Sequence, residues 1–400
     1  MESLWLTLGI IILVVTLADV FLSALNFDES GFLTGPATEM QWRLLRRGTR
    51  RLPRSWRPTA LRQVTGLQVV VTIMIWVFGT ILGYGLIYYS QMSPSSFSVA
   101  SGGDRELTLF NGLYFSAAQL ATVGGSVLTA ETDTLRFLSI LESLTGVVLI
   151  SLILTFLLGV YDVIGSLSTL CRQFSTTERG AGSSVATLTP YFRDGRVEGL
   201  GDHLEAISDS LTSYMDGLRL HHAAYYFQSG RDQFALPYAL TMVGGTLGAL
   251  RWGLPRGHPA SEEPRLPALV FQYVEFADQL QDRLRWRDVE VPEVVSRDVF
   301  VAHARGGTLD VPRDQWVMSF LALSARMSKL AAVDPLADLD DAYQRYSEWL
   351  PFAHRSQLAM KNFGQRSKHL AMFLRRLLAN PLKNVSWHSS NRAQSLFEHP

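Results

Sequence analysis

Apolar residues are distributed unevenly along the 400-residue chain, and this unevenness divides it into two parts. Three apolar runs lie within the first 165 residues, at 4–25, 64–89 and 138–164. Because about 20 consecutive apolar residues cross a bilayer, each run predicts a membrane-spanning helix. The rest of the chain sets apolar residues at helical spacing between charged ones, which predicts soluble helices.

The soluble part is predicted to be helical and to contain no long strand. Residues 234–250 are apolar enough to suggest a fourth span, but this short run contains Pro237 and three glycines. We therefore predict a buried core helix there. The predicted helices are 197–228, 233–250, 266–286, 314–332, 338–349 and 354–378.

Residues 109–126, LFNGLYFSAAQLATVGGS, form the segment around which the membrane part is organised. The first part predicts a short amphipathic helix, and the end predicts a glycine-containing extended backbone. Such backbone is tolerated at membrane depth only where it is buried in protein or lines a water-filled path. Its carbonyl oxygens can replace the hydration shell of a cation. This segment, set between two spanning helices, therefore predicts a re-entrant pore loop.

The loop resembles the pore of potassium channels with two transmembrane helices per subunit, whose filter signature is TVGYG. The resemblance covers residues 64–165 and rests on TVG, the preceding YFSAAQLA and the inner helix LRFLSILESLTGVVLISLILTFLLGVY. It implies a homotetramer with a selectivity filter in which K+ binds the backbone carbonyls and the threonine hydroxyl. The implied filter residues are Thr122, Val123, Gly124, Gly125 and Ser126, the first four of which supply the carbonyls.

Two filter positions depart from the family pattern, since Gly125 replaces the tyrosine and Ser126 replaces the last glycine. Glycine offers no side chain to brace the filter, so a weakly selective cation channel is the alternative within the channel class. Gln119 and Glu142 are the polar residues predicted to support the filter, with Glu142 bonded to Gln119 or to the Ser126 hydroxyl. Gly146 lies at the family's usual hinge, with close helix packing as the alternative.

The loop after the first span is strongly basic, with eight arginines between positions 43 and 62. Because such loops stay in the cytoplasm, we predict an outside N-terminus, a cytoplasmic C-terminus and a multi-pass protein of the inner membrane. Residues 40–52 are also amphipathic, which indicates a surface helix attracted to anionic lipid or charge that only sets topology. Asp19, inside the first run, is a candidate functional or interfacial carboxylate.

These patterns predict an all-α membrane protein. Residues 1–63 are assigned to an N-terminal transmembrane helix with a basic linker, and 64–165 to a pore-loop channel domain. A Gly/Ser/Thr-rich linker follows at 166–190, and a cytoplasmic helical domain at 191–400 is expected to gate the pore. An unknown ligand or protein is the partner expected at that domain.

The chemistry-bearing motifs give no enzyme and no organic cofactor, because neither a phosphate-binding loop nor a zinc-ligand spacing is present. Zero net charge gives no reason to expect nucleic-acid binding. A single cysteine excludes an intrachain disulfide. His203, His221 and His222 are predicted to be core or solvated histidines rather than metal ligands. A non-conducting receptor or scaffold with a pore fold is the alternative from another class.

Overall fold

The computed structural model is helical apart from two pairs of short strands in the residues it describes. The chain divides into two compact units. One contains Met1–Ser166 and Tyr214–Gln228, and the other contains Leu167–Ser213 and Ser229–Pro400. The described residues are 2–25, 31–51, 64–93, 95–99, 108–123, 128–174, 183–193, 196–221, 224–225, 234–283, 290–306 and 314–364.

The first unit holds the helices that are long and apolar enough to cross a membrane, α1, α3 and α5. They confirm the three predicted spans, although α5 runs for 40 residues and exceeds the predicted 138–164 at both ends. The amphipathic stretch after the first span is a helix as well. The elements are α1 (Glu2–Leu25), α2 (Thr34–Arg51), α3 (Val64–Ser90), β1 (Phe97–Val99), α4 (Leu109–Leu120), β2 (Leu128–Ala130) and α5 (Asp133–Arg172).

Glycines bring α1 and α3 into close contact. A Cβ placed on Gly83 would lie 2.9 Å from Leu13 Cβ, and one on Gly9 would lie 2.8 Å from the Gly83 carbonyl oxygen. One turn earlier on α3, a Cβ on Gly79 would lie 2.6 Å from Thr16 Oγ1. Small residues are what allow membrane helices to approach this closely, so α1 is a packed part of the pore unit.

The second unit is built around α7, most of whose residues are buried. This confirms the prediction of a core helix, and α7 is not among the helices that qualify as spans. The elements are a 3-10 helix (Ala186–Tyr191), β3 (Phe192–Arg193), β4 (Arg196–Val197), α6 (Leu200–Leu220), α7 (Leu236–Trp252), α8 (Leu266–Arg283), α9 (Arg297–Ala304), α10 (Gln315–Ala331) and α11 (Leu339–Gly364). The last part of α6, from Tyr214 onward, belongs to the first unit.

The structure corrects two predictions in this part of the chain. The helix α11 continues through Pro351 where a break was predicted between 349 and 354. Proline removes one helical hydrogen bond, but the next residue, Phe352, is anchored against Trp252 and Tyr273 with ring centroids 4.9 and 5.5 Å away. The eight-residue α9 was not predicted. The part of the predicted helix 354–378 after residue 364 lies outside the described residues.

Candidate pore site

The helix α4 carries one buried face, and this face fixes it between the spanning helices. Its buried residues are Gly112, Phe115, Ser116 and Leu120. Phe115 and Ser116 follow Gly112 by three and four positions, and Leu120 follows Ser116 by four, so they share one side of the helix. A Cβ on Gly112 would lie 2.7 Å from the Gly85 carbonyl oxygen of α3. The predicted short amphipathic helix is thus present, and it packs on the outer span.

An aromatic cluster holds the buried face of α4. The Phe115 ring packs edge-on against Tyr88 of α3 and Phe97 of β1, with centroids 4.9 and 5.3 Å apart. Tyr84 belongs to the same buried cluster, and its hydroxyl hydrogen bonds with Thr145 of α5 at 3.1 Å. Edge-to-face pairs add stability beyond the area they bury, so this cluster ties α4 to its surroundings.

A two-stranded ladder joins the chain before and after the loop. The strands β1 and β2 are antiparallel, and Phe97 lies opposite Ala130. The Glu131 amide donates to the Ser96 carbonyl at 2.9 Å, which extends the pairing. Because β1 precedes α4 and β2 follows the loop, the ladder fixes the distance between the two ends of the whole helix-and-loop segment.

The loop leaves α4 through a strained residue. Thr122 has a φ of 53°, in the left-handed region that a β-branched residue rarely occupies, so the extended backbone predicted to start at Thr122 does not start there. The amides of Thr122 and Val123 donate to the carbonyls of Gln119 and Ala118 at 2.9 and 3.2 Å. The Val123 side chain is 76% exposed. The other predicted filter residues, Gly124, Gly125 and Ser126, lie outside the described residues.

Glu142 is completely buried behind α4. The Ser116 hydroxyl donates a hydrogen bond to Glu142 Oε1 at 2.5 Å and lies 3.1 Å from the Ile81 carbonyl oxygen of α3. The Tyr88 hydroxyl faces the same carboxyl group. Burying a carboxyl group without hydrogen-bond donors costs free energy. The bond from Ser116 reduces this cost and links Glu142 on α5 to the middle of α4.

Two further residues of α5 fix the end of α4 from which the loop departs. The Ser143 hydroxyl lies 3.2 Å from the Gln119 carbonyl oxygen of α4 and 3.0 Å from the Ser139 carbonyl oxygen of its own helix, and it can donate to either. A Cβ on Gly146 would overlap the Leu120 carbonyl oxygen. Position 146 therefore requires glycine, because the two helices pack closely there. Close packing and a hinge were the two roles that the sequence left open for Gly146.

The structure thus places Glu142 and Gly146 against α4, but it does not pair Glu142 with the Gln119 side chain, and the other predicted partner, Ser126, lies outside the described residues. Among the described residues the hydrogen-bond donor to Glu142 is Ser116 rather than the Gln119 side chain, and Gln119 contributes its backbone carbonyl to Ser143. Sequence reasoning missed Ser116 and Tyr88. The signal available for Ser116 was its position one helical turn before Gln119 on the same face.

Asp19 is also fully buried, and its carboxyl group joins three helices. Its Oδ1 accepts hydrogen bonds from the amides of Leu33 and Thr34, where α2 begins, at 2.6 and 3.2 Å. Its Oδ2 accepts one from the Trp76 indole of α3 at 2.9 Å. A carboxylate at a helix N-terminus satisfies amides that have no partner within the helix. Asp19 therefore has a structural role at this position.

Two of the three histidines that were weighed as metal ligands have other surroundings, and the third, His222, lies outside the described residues. The His203 ring stacks on Tyr191 at 4.6 Å, and burial lowers its pKa. The His221 ring packs edge-on against Phe156 at 5.9 Å. Within the described parts of the chain, no three His, Cys, Asp or Glu side chains are grouped so as to hold a metal ion.

The comparison with known families agrees with this geometry. Residues 70–161, which include most of α3, all of α4 and most of α5, match a family model described as "Ion channel". The match shows that this region is similar to the ion-channel family, and it does not extend to the rest of the chain. No curated protein and no solved structure matches the chain.

Proposed function

We propose that the protein is a homotetrameric cation channel that conducts potassium through a filter formed by Thr122–Ser126 of each subunit. The observation that carries the proposal is a pore helix, α4, held between two spanning helices by buried polar contacts, within a region that matches the ion-channel family. One loop per chain cannot surround an ion, so several chains are needed around one axis.

The orientation of α4 suits a cation. The end of α4 that leads into Thr122 is its C-terminus, and the macrodipole gives that end a partial negative charge of about half an electron. Four such ends around an axis would stabilise a cation beneath the filter. The carbonyl groups of Thr122, Val123, Gly124 and Gly125 and the Thr122 hydroxyl then replace water around the permeant K+.

The altered filter favours weak selectivity as the second candidate. Filter carbonyls discriminate by their number, their field strength and the stiffness with which they are held. Gly125 has no side chain to hold them and gives the backbone additional freedom. The bracing that remains comes from α5 through Glu142, Ser143 and Gly146 behind the pore helix.

The proposed channel also has a defined orientation in the membrane. The basic loop between the first two spans predicts a cytoplasmic location, which puts the N-terminus outside and the helical C-terminal region inside the cell membrane. That region is proposed to set the open probability. A non-conducting receptor or scaffold with this fold is the outcome that recording must exclude.

Planar-bilayer recording of the purified full-length protein, first in potassium and then under bi-ionic potassium and sodium, tests the proposal. We expect unitary cation currents from a particle with the native mass of a tetramer. The double variant Gly125→Tyr, Ser126→Gly is the matched control, because it should sharpen the potassium preference only if the current passes through this filter. A folded tetramer that is silent in both salts would contradict the channel function.

A further inference from the structure

Residues 214–221, at the end of α6, belong to the same compact unit as the membrane helices, and they interlock with α5. The His221 ring lies directly on Gly159, where a Cβ would overlap its Nε2 atom. One turn along, the roles are exchanged, because a Cβ on Gly217 of α6 would lie 2.7 Å from Val163 Cγ2 of α5. Each helix therefore offers a glycine to a side chain of the other, four residues apart on both.

The surroundings of the His221 ring are largely apolar. The ring packs edge-on against Phe156 at 5.9 Å, and Phe156 packs in turn against Trp76 of α3 at 5.2 Å. The Nδ1 atom is buried and has no hydrogen-bond partner among the described residues. The charged or titratable groups nearest to the contact along the described chain are Tyr161 and Asp162 on α5, Tyr214, Asp216 and Arg219 on α6, and Tyr225 after it. Asp216 pairs with Arg219 at 3.9 Å, and Asp162 acts on the ring through its charge.

Burial lowers the pKa of His221, and the negative charge of Asp162 offsets part of this effect. A histidine whose pKa is lower in the docked state than in the released state favours docking only while the ring is neutral. Docking is therefore fully favoured above the ordinary histidine pKa of about 6.5, and it weakens as the pH falls below that value.

Resting on the proposed channel function, we propose that residues 214–221 form a clamp on α5, in which the neutral His221 ring on Gly159 restrains the inner helix and protonation releases it. The clamp covers the half of α5 farther from the pore loop. Helices bend most readily where glycine interrupts them, and the ring covers such a point. The clamp is thus a contact within the first unit that changes with pH, between the end of α6 and α5.

Cross-linking tests the clamp without any current. A Cβ on Gly217 lies 3.4 Å from Val163 Cβ, close to the separation that a disulfide requires. In a Cys171→Ser background, the pair Val163→Cys and Gly217→Cys should cross-link at fixed pH, whereas Gly165→Cys with Gly217→Cys should not. Adding His221→Arg, a permanent charge, should lower the yield about tenfold or more, whereas His221→Phe should preserve it. Equal yields with Arg and Phe would overturn the clamp.

Recording then tests its effect on the pore. Gly159→Ala displaces the ring, whereas Gly165→Ala raises helix propensity equally on the same helix, and a Cβ there lies within 4 Å of no side chain among the described residues. We expect Gly159→Ala and acidification to shift the open probability in the same direction, and His221→Phe to remove the response between pH 7.5 and about 5.5. A response that survives His221→Phe, or a Gly159→Ala variant that behaves like Gly165→Ala, would overturn the regulatory role. If the wild type passes no ions, the cross-linking result stands separately.

Discussion

The indole N–H of Trp76 donates a hydrogen bond to Asp19 Oδ2 at 2.9 Å inside the membrane unit, 57 residues away along the chain. The other oxygen of the same carboxyl group accepts the two amides at the start of α2. The Asp19 carboxyl group therefore joins three helices, α1, the amphipathic α2 and α3. A shift of α2 cannot occur without breaking this contact or moving α3.

We predict that Trp76→Phe destabilises the protein by about 1–3 kcal/mol, because it leaves a buried carboxyl group with one donor fewer. Asp19→Ala should cost more, since three donors lose their acceptor, and the double variant should cost less than the sum of the two. Unfolding of the full-length protein in detergent, followed by tryptophan fluorescence and by loss of native mass, measures all three.

Trp5→Phe provides the control for the Asp19 network. Trp5 packs edge-on against Tyr89 at 5.8 Å, so phenylalanine retains a ring contact there while also removing an indole N–H. We expect a change below about 1 kcal/mol for this variant. If Trp76→Phe were no more destabilising than Trp5→Phe, the bond to Asp19 would have no measurable role.

A second prediction separates the two roles considered for Gly146. Close packing on the Leu120 carbonyl oxygen predicts that Gly146→Ala destabilises the protein by about 1–3 kcal/mol through overpacking, despite a gain in helix propensity of about 1 kcal/mol. Gly165→Ala on the same helix should be neutral or stabilising. Thermal unfolding measures both. A Gly146→Ala variant with changed gating but undiminished stability would favour the hinge.

Hydropathy was sufficient to predict the spans and the pore helix, because a bilayer-crossing run and a one-sided helix are local patterns. Hydropathy also showed that Asp19 is unusual as a carboxylate inside an apolar run. It could not identify its hydrogen-bond donors, the Trp76 indole and the α2 amides, because only tertiary packing brings them close to Asp19. Glu142 was predicted to lie behind the filter, yet its donor, Ser116, depends on how α4 is rotated. Thr122 departs from the usual preference of a β-branched residue at the end of α4, where its amide bonds back to the Gln119 carbonyl. The continuous helix through Pro351 is a case in which tertiary contacts override local preference.

In the second unit, Arg345 allows a prediction about stability. Its guanidinium is buried, donates to the Asp341 carboxylate at 2.7 Å, and donates to the Trp252 and Pro335 carbonyls at 2.7 and 2.5 Å. Lysine cannot reproduce this planar arrangement of donors, so Arg345→Lys should cost about 2–4 kcal/mol. The exposed Arg355, which pairs with Asp278 at 3.1 Å, is the control, and its change to lysine should cost under about 1 kcal/mol. Thermal unfolding of the full-length protein compares them.

The predicted topology can be tested by labelling. Ser98 lies exposed in β1, next to the loop, and the basic stretch that contains position 55 is predicted to be cytoplasmic. In a Cys171→Ser background, Ser98→Cys should react with an impermeant thiol reagent added to intact cells. Ser55→Cys should react only after lysis. The reverse pattern would place the loop on the cytoplasmic side and contradict the proposed orientation.

The last prediction concerns the contact between Ser116 and Glu142, which we expect to set selectivity. Ser116→Ala removes the donor to Oε1, and Glu142→Gln changes the acceptor group, so each should loosen α4 behind the filter and lower the preference for potassium over sodium. Because both act on one contact, the double variant should be little worse than either single one. Ser143→Ala is the control, since Ser143 also bonds α4, but through the Gln119 carbonyl and without Glu142, so its effect should add to that of Glu142→Gln. Bi-ionic reversal potentials measure each variant, and additivity between Ser116→Ala and Glu142→Gln would show that the two residues act on the pore independently.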